Sequence, residues 1–380
     1  MNEMTAAQKT QKTTADEMSQ SRPGEISRPV FCAADDCILS VIVPVYNMAS
    51  EDRLSWCMRS LLHQQLENYE IIAVDDCSTD SSLSLLRDME QQYPDRLHVI
   101  ASPENRHQGG AKNLGLSAAK GQWIAFIDAD DWVVPDYFAR LLKKAEETGA
   151  DCVGTDYCIV TEHTMEPGPV IAGSREDQVG VLDDARRRSL ILDSGSLCVK
   201  IYRRSIVIDC PSRFPEGIFY EDNALANTWI MRMNHYEYVP GPLYYYYQHE
   251  DSTVHTVTRR RLEDRMAAGQ RMLEEAQKYD FLERFRPEIE YSYTVLFYKN
   301  TLFSALQSMK GQGVFSFVTE LAEKMRQTFP DFQENPYYQE RTNEEEKRLI
   351  RLQMQNPRMF YIYYRALWAY RRLRYGKRME

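Results

Sequence analysis

Residues 123–132 read W-I-A-F-I-D-A-D-D-W, an apolar run that ends in Asp128, Asp130 and Asp131. Three carboxylates within four residues repel one another unless a positive charge gathers them. A hard divalent cation does so, and Mg²⁺ is usually held by one or two carboxylates plus the phosphates of a substrate. A bare Asp-x-Asp is also an ordinary polar strand end entering a turn, so its neighbours decide. A second acidic cluster, Asp75, Asp76 and Asp80, follows the apolar run E-I-I-A-V at 70–74. A third pair, Glu221 and Asp222, precedes a helical run at 223–233, where negative charge by itself serves the helix dipole.

These carboxylates need elements to position them. L-S-V-I-V-P at 39–44, the run at 70–74, a weak one at 98–100 and 123–127 have the length and β-branched content of buried strands. Between them lie segments of helical period. Leu54, Met58, Leu61 and Leu62 share one face of 54–65; Leu85, Leu86, Met89 and Tyr93 share one face of 81–93, after the capping residues Ser78, Thr79 and Asp80. Gly109 opens a small-residue helix at 109–119. Strands alternating with helices predict an α/β fold with a mostly parallel sheet covered on both faces. Ligands of such sheets bind at the carboxyl ends of the strands, where Asp75, Asp76, Asp128 and Asp130 fall. No glycine occurs between Pro44 and Gly109, so neither a dinucleotide fingerprint nor a phosphate loop follows the first strand.

Six segments, in order, carry a family resemblance: S-V-I-V-P-V-Y-N (40–47), V-D-D-C-S-T-D (74–80), N-R-H-Q-G-G-A-K-N-L-G (105–115), I-D-A-D-D (127–131), F-P-E-G-I-F-Y-E-D-N (214–223) and Y-Y-Y-Y-Q-H-E-D-S-T (244–253). The chain resembles the family 2 glycosyltransferases of the bacterial surface-polysaccharide type, which have the GT-A fold. That resemblance implies a GT-A domain over 38–258, with a nucleotide-sugar half (38–150) and an acceptor half (151–258). It implies an inverting, metal-dependent transfer from a nucleotide sugar, of the UDP-sugar kind, to a saccharide or lipid-linked acceptor.

The roles it implies are these. Asp130 ligates Mn²⁺ or Mg²⁺ between the phosphates, and His249 or His255 contacts the metal or diphosphate. Asp128 and Ala129 lie beside the donor ribose or sugar; Asp75 and Asp76 meet the base or ribose, and Pro44, Tyr46 and Asn47 line the same pocket. Asp222 is the general base for the acceptor hydroxyl and Glu221 supports it. Lys112 stands where the family usually has Arg, keeping the charge for the diphosphate but losing the forked donor geometry; His107 stands where it often has Gly. Lys200, Arg203 and Arg204 either reach toward diphosphate or acceptor or form a solvated basic face. A sugar-nucleotide-binding subunit without turnover is the alternative from another class, and a nucleotidyltransferase is a third.

The rest of the 380 residues is read from composition. Residues 1–37 are polar, without apolar period, and predict a disordered leader. No run of about 18 apolar residues marks a membrane span. The eight cysteines show no zinc or disulfide spacing, which predicts reduced thiols in a cytoplasmic protein. Residues 259–356 predict a helical extension over 259–279, 289–308, 314–328 and 342–355, packed on the catalytic domain or on another subunit. The tail 357–380 holds seven Arg or Lys against one Glu in a chain of net charge −10. It places Phe360, Tyr364, Leu367 and Trp368 on one helical face. Such a helix docks on the acidic body or lies on an anionic membrane surface, which also makes the membrane's cytoplasmic face a possible address. Nucleic acid is a poorer partner for an acidic body with no base-reading module.

Overall fold

The computed structural model describes residues 37–249, 257–309 and 313–376. The leader (to 36) and His255 therefore lie outside the described residues. Among the described residues ten strands form one mixed sheet. Strands β1 (Leu39–Val45), β2 (Tyr69–Asp75), β3 (Leu97–Ala101) and β4 (Trp123–Phe126) match the four apolar runs. They pair in parallel in the order β3-β2-β1-β4, with Val45 opposite Asp75 and Ile42 opposite Phe126. β1 and β2 are buried along their whole length, as continuous apolar strands covered on both faces should be.

Beyond β4 the sheet turns antiparallel. β9 (Lys200–Arg203) pairs with β4 and with β6 (Cys152–Val160), and β10 (His235–Tyr247) pairs in parallel with β6. Short strands β5 (Trp132–Val133), β7 (Val170–Ile171) and β8 (Gly180–Val181) close its edges. Alternation predicts that half of Tyr244–Tyr247 are buried, yet Tyr244, Tyr245 and Tyr247 all are. The reason is that β10 has a core on each side: Tyr244 joins the main core, while Tyr245 and Tyr247 pack with Trp132 in a second cluster.

Helix His107–Ala118 lies against β1 and β2, and its small residues allow the close approach. A side chain at Gly109 would strike the Pro215 carbonyl, and one at Gly115 would strike Ile42. The predicted run at 289–308 is broken into helices Arg286–Tyr293 and Asn300–Ser308 by a π-helical turn, Thr294–Lys299. Period alone does not reveal such a one-residue widening. The extension's first helix, Arg259–Lys278, packs on helix Glu221–Arg232, so it buttresses the same chain.

The tail is helical over Pro357–Tyr375. The face predicted from Phe360, Tyr364, Leu367 and Trp368 is docked: Phe360 and Tyr364 are buried against helices Gly313–Thr328 and Glu344–Gln355, and Arg371 pairs with Glu345 at 2.6 Å. A different stripe, Met359, Ile362, Tyr363, Tyr370 and Leu373, is exposed, Leu373 to 88%. Among the described residues no helix is long and apolar enough to cross a membrane, and the seven described cysteines are free thiols.

Candidate active site

The parallel strands deliver the first carboxylates. Asp75 ends β2 and Asp76 follows it. Asp75 Oδ2 accepts the Ser78 N–H at 3.1 Å, while its buried Oδ1 has no partner. Asp76 Oδ1 accepts the Arg106 N–H at 2.9 Å, and burial pushes its carboxyl up. Pro44 is buried in β1, and Tyr46 just beyond it is exposed, not a core aromatic. Asn47 braces this edge: its Oδ1 accepts the Thr79 N–H at 2.8 Å, and its own N–H donates to Ser78 at 3.0 Å. Asn47, Cys77, His107 and Tyr220 all hold left-handed backbone, with φ between 54° and 66°. Non-glycine residues of this kind gather at sites where the surrounding structure over-determines the chain.

The Asp128–Asp131 turn follows β4. Burial pushes Asp128 up to about 6, Lys112 opposes this and Asp130 adds to it. Asp128 Oδ2 accepts the Cys198 thiol at 3.4 Å, and its Oδ1 is buried without a partner. Asp130 Oδ2 lies 3.1 Å from His249 Nε2, at the end of β10. Ala129 between them is buried. Asp131 has a structural task that the sequence does not signal. It accepts the Tyr244 hydroxyl at 2.6 Å and the Tyr247 N–H at 2.9 Å, tying the turn to β10. Burial and the neighbouring Asp130 raise its carboxyl well above the usual range.

The helix Glu221–Arg232 supplies the third pair. Tyr220, held at φ 66°, precedes it. Its hydroxyl accepts from Arg265 Nη2 at 2.7 Å, with that guanidinium 4.6 Å from the ring centroid. Glu221 is buried and accepts Lys112 Nζ at 2.7 Å. Burial alone would lower the Lys112 ammonium, but the Glu221 charge outweighs it and holds the lysine above its ordinary range. Lys112 is thus a buried partner of Glu221 rather than a cation standing open for a diphosphate. Asp222 is raised by burial and by Glu221, with Lys112 opposing, and its Oδ1 accepts the Asn223 N–H at 2.8 Å.

The other basic residues are held by neighbouring backbone and rings. Lys200 Nζ donates to the Ser194 carbonyl at 2.9 Å, Arg203 stacks 4.9 Å from the Trp123 ring, and Arg204 donates to the Ala119 carbonyl at 2.9 Å. Arg203 and Arg204 staple loops to β4 and β9, while Lys200 lines one cavity with Asp222.

Asp128, Lys112, Glu221 and Asp222 lie close enough to shift one another's ionisation, so segments separated by a hundred residues converge. Among the described residues no three His, Cys, Asp or Glu side chains make an all-protein metal cage. The donor set still fits a hard cation that shares substrate phosphates. It offers Asp130 beside His249, with an unpartnered buried Asp128 oxygen nearby.

Comparison with known proteins agrees with this architecture. Residues 40–209 match the family described as Glycosyl transferase family 2. The putative glycosyltransferase EpsH of Bacillus subtilis is 31% identical over 264 residues, covering 66% of this chain and 73% of EpsH. The succinoglycan biosynthesis protein ExoO of Rhizobium meliloti is 39% identical over 113 residues, 30% of this chain and only 31% of ExoO. The crystal structure of S. aureus TarS residues 1–349 in complex with UDP-GlcNAc superimposes with a TM-score of 0.60 at 22% identity, covering 87% of this chain and 92% of that one. The mixed sheet with its converging carboxylates is the GT-A fold, and the chain belongs to the family 2 glycosyltransferases.

Proposed function

We propose that this glycosyltransferase moves a sugar, with inversion, from a UDP-sugar to a saccharide or lipid-linked acceptor of surface polysaccharide or glycolipid synthesis. The observation that carries the reading is the convergence of two unlike carboxylate sets. One, Asp75, Asp76, Asp128 and Asp130, lies at strand ends and keeps buried oxygens unsatisfied. The other, Glu221 and Asp222, starts a helix whose charge Lys112 balances.

In this reading Asp75 and Asp76 take the base and ribose, with Tyr46 exposed to stack on the base. Asp130 and His249 hold a Mn²⁺ or Mg²⁺ ion, which when bound neutralises the leaving diphosphate as a Lewis acid. Asp128 faces the donor sugar. Asp222 takes the proton from the attacking acceptor hydroxyl. A carboxyl raised above its ordinary range is better matched to that task at neutral pH, and Glu221, fixed by Lys112, sets the Asp222 position. The complex of TarS with UDP-GlcNAc supports a uridine diphosphate donor.

We also read the tail as an interfacial helix. The exposed stripe Met359, Ile362, Tyr363, Tyr370 and Leu373 supplies apolar contact, and Arg358, Arg365, Arg372 and Arg374 border it. That combination suits an anionic leaflet.

Donor hydrolysis across a panel of nucleotide sugars with Mn²⁺ tests the reaction, with Asp222→Asn as its control. That variant should bind the donor as the native protein does and lose transfer by a factor of roughly 10² to 10⁴, the usual contribution of a positioned base. Hydrolysis of no donor, or native transfer by Asp222→Asn, would sink the assignment.

A further inference from the structure

A groove of about 550 Å³ opens between helices Asn300–Ser308, Glu344–Gln355 and Pro357–Tyr375, away from the strand-end carboxylates. Its size is that of a small-ligand site, about 300–1,000 Å³. Three rings line one wall in a row: Phe303, Tyr364 and Trp368, with successive centroids 6.2 and 6.1 Å apart. Amides from Asn300, Gln307 and Asn343 line it as well, among charged side chains that include Arg265, Lys299, Glu345, Glu346 and Arg371. The π-helical turn Thr294–Lys299 directly precedes Asn300 and ends on Lys299, another lining residue; such turns recur at functional sites.

We propose that this groove is a second saccharide-binding site, taking a neutral stretch of acceptor glycan while its end reaches the transfer site. The inference rests on the transferase reading and adds a ligand class for a surface outside the reacting centre. A sugar ring offers apolar C–H faces and pairs of hydroxyls. Aromatic walls receive the first, and amides, each both donor and acceptor, receive the second.

Charge argues against other occupants. Lys299 is paired with Glu346 at 2.9 Å and Arg371 with Glu345 at 2.6 Å, so these cations are matched before any ligand enters. Arg265, the third lining cation, already donates to Tyr220 and Ser304, and a polyphosphate would have to break the other two pairs. An apolar segment would leave the amides without partners, at a cost for each.

One side chain links the groove to the segment before Glu221. Arg265 lines it, donates to Ser304 at 3.4 Å, and holds Tyr220 at 2.7 Å, the residue before Glu221 and Asp222. A glycan in the groove therefore lies one side chain away from the turn that sets Asp222.

The test titrates four neutral hexasaccharides (β-1,3-gluco-, chito-, malto- and manno-) into the full chain with saturating UDP and Mg²⁺, read by tryptophan fluorescence and saturation-transfer NMR. At least one should bind saturably. Trp368→Ala should weaken it by roughly tenfold, the scale of a lost ring contact. Gln307→Ala, a polar change on a surface helix, should weaken it as well while keeping the native circular dichroism. Binding by none of the four, or binding untouched by both groove variants, overturns the proposal. Donor hydrolysis is scored separately, so a groove that binds glycan in a protein that hydrolyses no donor would fault the transferase reading alone.

Discussion

Glu221 is buried against Lys112 at 2.7 Å, whereas Asp75 and Asp128, one at and one just past strand ends, each keep a buried oxygen that nothing hydrogen-bonds. The two regions lie in one site and treat the same chemical group oppositely. A buried charge is tolerated when paired, and a buried polar atom without a partner costs about 1–3 kcal/mol. The Glu221 helix start is completed by folding. The strand ends keep oxygens that no other group of the chain meets, and in the proposed reading the donor and its metal meet them. Such unmet demand is affordable only because the sheet beneath is buried along β1 and β2.

The sharpest way to break this comparison is at the strand ends. Asp130→Ala should abolish transfer and remove the metal dependence of UDP binding. Calorimetry showing undiminished Mn²⁺-assisted binding of UDP to the folded variant would take Asp130 out of that role.

The helix start should respond through stability. Lys112→Met leaves Glu221 buried without its partner, which costs about 3–5 kcal/mol. Lys112→Met combined with Glu221→Gln should recover most of that loss. Urea denaturation reads both. Additive losses in the double variant would mean that the pair is not coupled as its geometry implies.

The tail gives a smaller effect, because Ile362 and Leu373 of its stripe are exposed. Ile362→Glu with Leu373→Glu should leave the thermal midpoint in place and reduce sedimentation with phosphatidylglycerol vesicles. Salt should weaken native binding, since each basic residue near an anionic surface is worth about 1 kcal/mol. A native chain that ignores such vesicles at low salt returns the stripe to ordinary surface.

The smallest predicted effect is a slope with pH. Burial pushes the Lys200 ammonium down to about 8, with the Ser194 and Ser196 carbonyls as its acceptors. The unfolded lysine titrates near 10.4, so between these values the unfolded chain binds the extra proton. Stability therefore rises with pH across that window, by up to about 1.4 kcal/mol per pH unit. Lys200→Met should lack this rise relative to the native chain. Parallel stability curves from pH 8 to 9.5 would show that another group governs the window.

The four parallel strands and the helices between them were legible because burial on both faces writes itself as apolar runs and periodic faces. The acidic strand ends were legible for the same reason, since polarity switches where the sheet stops. Asp131 was not, because its partners, Tyr244 and the Tyr247 N–H, lie more than a hundred residues away. Nor was the Lys112–Glu221 pair, which needs a helix pressed so close that Gly109 and Gly115 have no room for a side chain.

The tail shows the same division. Its amphipathic character followed from spacing, but two apolar stripes run along it, and only packing decides which faces inward. The sequence by itself determined the fold class, the family and the residue types of the site, because local period and motif order are properties of neighbouring residues. The tertiary structure alone decided which charges are mutually satisfied and which oxygens stay unmet, because pairing energies depend on distances between segments that the chain order leaves free.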